Sequence, residues 1–158
     1  MGRHVQPSIR IQKEDFDLAR EAERLTRERL DVGAVVTFTG LCRDEQGALA
    51  ALELEYYPGM AEAEISRITT EAMARWPLTG LTVIHRHGMI RPGENIVLVA
   101  AAAEHRQAAF EAASFVMDFL KTEAPFWKKR RLADGTDGGW VEAKESDADL
   151  TGRWSMSA

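Results

Sequence analysis

The run from about Arg106 to Thr122 sets Ala109, Phe110, Ala113, Val116, Met117 and Leu120 at spacings of three and four, and Pro125 follows just beyond. Those spacings place the six side chains along one wide stripe of a helix, which needs a large apolar partner surface. The proline ring forbids continuation, so the chain must turn there. The preceding segments LTVIHRHG and NIVLVAAAAE read as two strands joined across MIRPGE, a loop with Pro92-Gly93 at its turn.

Three more segments carry a clear period. In ALAALELEYYPG, Leu52, Leu54 and Tyr56 alternate with Glu53, Glu55 and Tyr57, which predicts a half-buried strand ended by Pro58-Gly59. Residues 60–76 put Ile65, Ile68, Ala72 and Trp76 on one face of a helix that should pack on a sheet, with Pro77 as its stop. Residues 15–30 space Phe16, Ala19, Ala22 and Leu25 as an amphipathic helix, with Asp15 as its cap. VGAVVTFTG reads as a strand running into the loop LCRDEQG, DGTDGG as a flexible loop and WVEA as a short strand. Strands in runs broken by helices predict an α+β fold.

At 158 residues one domain is expected, with residues 1–147 forming it and 148–158 a flexible tail. The single cysteine, Cys42, excludes an internal disulfide and any CxxC zinc or iron–sulfur site. The opening MGRHVQPSIRIQKEDFD has no apolar core of a signal peptide, and no stretch is apolar for a membrane span. A soluble, cytoplasmic protein is the expectation.

A net charge of −5 argues against a nucleic-acid binder. Between Lys121 and Arg131, however, five basic residues face only Glu123. Such a strip can hold a small anion in an otherwise acidic protein, or it can be a solvated basic turn. His85 and His87 share a strand face but have no local third ligand, so no metal site is expected. There is no GxSxG, GxGxxG or Walker loop. Cys42 beside Arg43 reads as packing before it reads as a nucleophile, and Phe126-Trp127 as a core anchor before a stacking platform. His105-Arg106 opens the long helix, where the dipole favours an anion, and Lys121 lies ~22 Å further along the axis. Those two ends meet in one site only through a bend or a second subunit.

VGAVVTFTGLCRD, LELEYYPGMAE, RWPL, VIHRHG, the His105-Arg106 pair and above all MDFLKTEAPFWKK resemble the catalytic (large) subunit of molybdopterin synthase. The match runs from about Val32 to Asp147. The resemblance implies a hammerhead-like α+β fold with a mixed sheet and packed helices. It also implies a sulfurtransferase that converts cyclic pyranopterin monophosphate to molybdopterin, with no resident cofactor. The sulfur would come from a small ubiquitin-like carrier ending in a Gly-Gly thiocarboxylate, and two large subunits with two carriers would make a 2:2 heterotetramer.

On this resemblance the catalytic residues are Lys121 and Lys128. Substrate binding falls on Leu41, Cys42, Arg43, His105, Arg106, Lys121, Lys128, Lys129 and Arg130. Leu41 stands where some relatives carry a basic residue, which leaves it a backbone contribution, and the loop DEQGA looks shorter than in relatives. Cys42 is not demanded by the family pattern. The competing expectation is a non-catalytic anion-binding or scaffold domain that docks an acidic partner through the same strip. It predicts that Lys121→Arg is tolerated.

Overall fold

LTGLTVIHR and NIVLVAAAA become the two central strands of a four-stranded sheet, buried along almost their whole length. The structure is a computed structural model and describes residues 5–141, 149–152 and 154. Its elements are β1 (Ser8–Gln12), α1 (Leu18–Thr26), β2 (Ala34–Leu41), β3 (Leu49–Tyr56), α2 (Met60–Arg75) and β4 (Leu78–Arg86). They continue with β5 (Gly88–Ile90), β6 (Asn95–Ala103), α3 (Arg106–Glu123), β7 (Phe126–Leu132) and β8 (Asp137–Trp140).

The fold is α+β, as expected, with two sheets. The first runs β1-β4-β6-β2 and is mixed, because β1 is parallel to β4 while the other pairs are antiparallel. The second runs β5-β3-β7-β8 and is antiparallel throughout. The pleat of the first sheet sorts its side chains between two sets of helices. Ile84 and Leu98 meet Phe16 on the α1 side. Val83, Val97 and Val99 face the other way, into the main core with Ile65 and Ile68 of α2 and Phe115 and Val116 of α3. α1 lies close on its side because position 80 is glycine; a Cβ there would stand 2.7 Å from Leu25 Cδ2.

Several expectations shift. α1 starts at Leu18 and is capped by Asp17, whose carboxylate accepts from the Arg20 amide at 3.1 Å. Asp15 instead accepts from Asn95 Nδ2 at 2.9 Å, tying the approach to α1 onto β6. In α3 the buried arc is Ala109, Ala112, Ala113, Phe115, Val116 and Leu120, while Phe110, expected in the stripe, is 60% exposed. The helix is covered by both the sheet and α2, which rotates its buried face away from Phe110.

Two segments read as loops are strands. Met89 and Ile90, inside MIRPGE, belong to β5, and Asp137–Gly139 of DGTDGG belong to β8. The expected strand WVEA contributes only Trp140; Glu142 and Ala143 lie outside the described residues. Lys128 to Arg131 of the basic strip lie on strand β7, held between β3 and β8, while Lys121 belongs to α3.

Within the segment expected as a tail, 148, 153 and 155–158 lie outside the described residues, and 149–152 are helical. Trp154 packs edge-on to Trp76 and Phe115 at centroid distances of 5.6 and 5.5 Å, and its indole donates to Asp118 at 2.6 Å. Among the described residues no helix is long and apolar enough to cross a membrane.

Candidate active site

Pro125 turns the chain between α3 and β7, and this brings the last turn of the helix and the first residues of the strand to one place. Lys121 and Lys128 lie on either side of that turn and line a single cavity of about 220 Å³. Its other walls come from Phe38, Gly40 and Leu41 of β2, Met117 and Leu120 of α3, and Phe126 of β7. His85 of β4 also lines it.

Strand alternation decides which cations of the strip reach the cavity. Lys128 is paired across from Leu54 and Arg130 from Leu52, on the inward face of the second sheet with Phe126. Lys129 and Arg131 point the opposite way. Lys129 Nζ lies 2.7 Å from Asp137 and 5.3 Å from the centre of the Trp140 ring. Arg131 places Nε and Nη2 at 2.9 and 2.6 Å from one carboxylate oxygen of Glu53. The structure therefore separates Lys129 from Lys121 and Lys128, with which the family pattern grouped it. Arg130 Nη2 is 2.9 Å from Glu45, so the short loop after Arg43 is tied to β7. Phe126 is an anchor as expected, but its neighbour Trp127 is 48% exposed on the outer face.

The loop residues divide similarly. Leu41 lines the cavity and is 52% exposed. Cys42 is 1% exposed, with its amide on the Glu94 carbonyl at 2.8 Å. Burial pushes its thiol pKa up, and Glu94 and Glu45 add to the effect. An inward-packed neutral thiol offers a substrate no side-chain contact. Arg43, the next residue, is exposed.

His105 and Arg106 form the start of α3, exposed and beside a separate hollow with Phe110. The helix is unbroken over its 18 residues. No bend brings this end to Lys121, and the two remain ~22 Å apart along the axis within one chain.

The sequence places no metal at His85 and gives it no other role. Its ring is 7% exposed and stacks on Phe126, with centroids 3.7 Å apart and planes 10° from parallel. Nδ1 lies 2.9 Å from the Arg86 carbonyl. Burial lowers its pKa to about 4, with Lys128, His87 and Lys121 acting in the same direction and the Arg86 hydrogen bond opposing. The signal for its place was the period of two that puts it on the face of Val83.

The family model described as MoaE protein matches residues 11–123. The molybdopterin synthase catalytic subunit of Mesorhizobium japonicum is 68% identical over 158 residues, covering 100% of this chain and 99% of that protein. The solved structure of the molybdopterin biosynthesis MoaE protein from Burkholderia ambifaria superposes with a TM-score of 0.81 at 44% identity, covering 95% of this chain and 99% of that one. That of molybdopterin synthase from Staphylococcus aureus gives a TM-score of 0.75 at 30% identity, over 84% and 96%. In identity along its whole length and in the superposition of its fold, the chain belongs to the MoaE family of molybdopterin synthase catalytic subunits.

Proposed function

We propose that this chain converts cyclic pyranopterin monophosphate to molybdopterin in the cytoplasm, taking sulfur from the C-terminal thiocarboxylate of a small ubiquitin-like carrier that ends in Gly-Gly. The observation that carries the reading is the placing of Lys121 and Lys128 on two walls of one cavity.

The chemistry needs such a pair. The substrate's cyclic phosphate and the incoming thiocarboxylate are both anionic, and two ammonium groups offset their repulsion in a half-enclosed space. Sulfur addition joins carrier to pterin through an acyl link, and hydrolysis of that link leaves sulfur on the pterin and a carboxylate on the carrier. Each addition also removes an oxygen from the pterin side chain, which must leave protonated. Lysine can give and take protons where arginine stays charged. Lys121 is assigned to the carrier's terminal carbonyl and Lys128 to the pterin.

Arg43, His105 and Arg106 are assigned to phosphate and developing charge. Because the straight α3 holds Arg106 far from Lys121, a complete site takes His105 and Arg106 from a second copy, within a 2:2 assembly with the carrier. The test is to mix the purified chain with thiocarboxylated carrier and the cyclic pterin and to look for the dithiolene product. Product from wild type and none from Lys121→Arg supports proton transfer at Lys121. Equal product from both leaves charge alone as its role and overturns that assignment.

A further inference from the structure

The cavity's polar side chains are Lys121, Lys128 and His85, and the first two can only donate. His85 differs. The Arg86 carbonyl 2.9 Å from Nδ1 can only accept, so Nδ1 carries the ring proton and Nε2 the lone pair. No described residue donates to Nε2. The stack on Phe126 holds the ring plane, and the Nδ1 hydrogen bond opposes a half-turn of the ring within that plane, so the edge bearing Nε2 keeps its place.

Among the described residues Nε2 is not one of the sealed, unpartnered side-chain atoms, so it is reached through the cavity and is open to a ligand. Val83, Val97 and Val99 share its sheet face, and an aliphatic residue at position 85 would continue that packing with no acceptor left unpaired. The charge state is fixed by the surroundings as well. Lys128 from β7, Lys121 from α3 and His87 beyond the end of β4 all oppose an imidazolium.

We propose that His85 is a substrate-binding residue whose Nε2 accepts a hydrogen bond from a ring N–H of the bound pterin and so sets the ring's orientation between Lys121 and Lys128. This rests on the reaction proposed above and adds a residue to it. A cavity furnished only with ammonium groups attracts any anion of suitable size. One fixed acceptor adds a requirement for a donor at a defined place, which a phosphorylated sugar without ring N–H groups does not meet.

The test separates binding from turnover. His85→Phe keeps an aromatic ring against Phe126 and removes the acceptor, while His85→Gln keeps an amide oxygen near the position of Nε2. Calorimetry with the cyclic pterin and with the carrier is run on each folded protein. The expected result is a loss of pterin affinity of about tenfold or more in His85→Phe, partial recovery in His85→Gln, and carrier affinity within about twofold of wild type in both. In ¹⁵N-histidine spectra of wild type, the unprotonated Nε2 resonance of His85 should move on adding pterin, a readout that needs no variant to fold. Unchanged pterin affinity in folded His85→Phe, or an unmoved Nε2 resonance at saturating pterin, overturns the assignment while leaving the reaction in place. Wild type that binds no pterin and forms no dithiolene overturns both.

Discussion

Phe126 and His85 face each other across the gap between the two sheets, ring on ring at 3.7 Å. One belongs to β7 and the other to β4, and Lys128 follows Phe126 on the same strand face. The stack therefore sets where Lys128 stands over the cavity, and Tyr56, 5.8 Å from Phe126, backs it from β3. Rigid neighbours of this kind separate a reacting group from a merely attractive charge.

Position should decide the worth of each cation in the strip. Lys121→Ala and Lys128→Ala should each lower sulfur transfer by at least ~10²-fold with the fold intact, the contribution of a positioned proton-transfer group. Arg131→Ala should stay within about twofold, because that side chain is spent on Glu53 at the outer face. Turnover is measured with saturating thiocarboxylated carrier, and circular dichroism checks folding. A similar modest loss in all three variants would make the strip a diffuse anion attractor.

His85 also predicts a pH dependence of stability. Its pKa is about 4 in the folded chain against 6.5 when unfolded, so the unfolded chain takes up a proton first as pH falls. The stability associated with the neutral ring is complete above pH ~6.5 and is lost progressively toward pH ~4, by roughly 3 kcal/mol. Urea unfolding of wild type and His85→Gln across this range should show the steeper loss in wild type. His87, whose pKa is also lowered by burial and Lys13, is present in both and cancels. Parallel curves would mean that His85 is already protonated in the fold.

Cys42 should be dispensable for chemistry. The thiol is buried and held neutral, and in the proposed reaction the sulfur comes from the carrier. Cys42→Ala should keep turnover within about twofold while losing on the order of 1 kcal/mol of stability to poorer packing. A folded Cys42→Ala protein without product would make the thiol a nucleophile after all.

If each site draws on two chains, defects in different ends of α3 should complement. Lys121→Ala and Arg106→Ala proteins, each inactive alone, are unfolded together, refolded and assayed. Mixed dimers then contain one site with neither substitution, and activity should return. Sedimentation should show a homodimer that gains mass on adding carrier. A monomer at micromolar concentration, with no recovery in the mixture, would place the whole site within one chain.

Local periodicity exposed α2, α3 and β3 because each carries an apolar face long enough to show its period. β1 and β5 were hidden by their length, five and three residues, too short for a pattern to stand out from a loop. β7 was hidden by its composition. FWKKRRL has the charge of a solvated turn, and only the pairing of Lys128 with Leu54 and Arg131 with Ala51 makes it a strand. Lys121 and Lys128 could be suspected of sharing a cleft across Pro125, while His85 could not, since Lys121, Phe126 and Lys128, which it meets there, are all more than 30 positions away in the chain. The helix start suggested an anion at His105 and Arg106, only the family likeness tied them to the substrate, and α3 leaves them at the far end.

The alternating strand β7 has a consequence for how this chain can change over generations. Four consecutive cations serve two purposes there by parity: Lys128 and Arg130 inward, Lys129 and Arg131 outward on acidic partners. Adding or deleting a single residue between Pro125 and Lys128 would invert the parity, moving Lys129 toward the cavity and Lys128 into solvent although the composition hardly changed. Substitution on the outer face is a small matter by comparison. The length of this short stretch is thus under tighter constraint than its charge, the reverse of what a basic run ordinarily suggests.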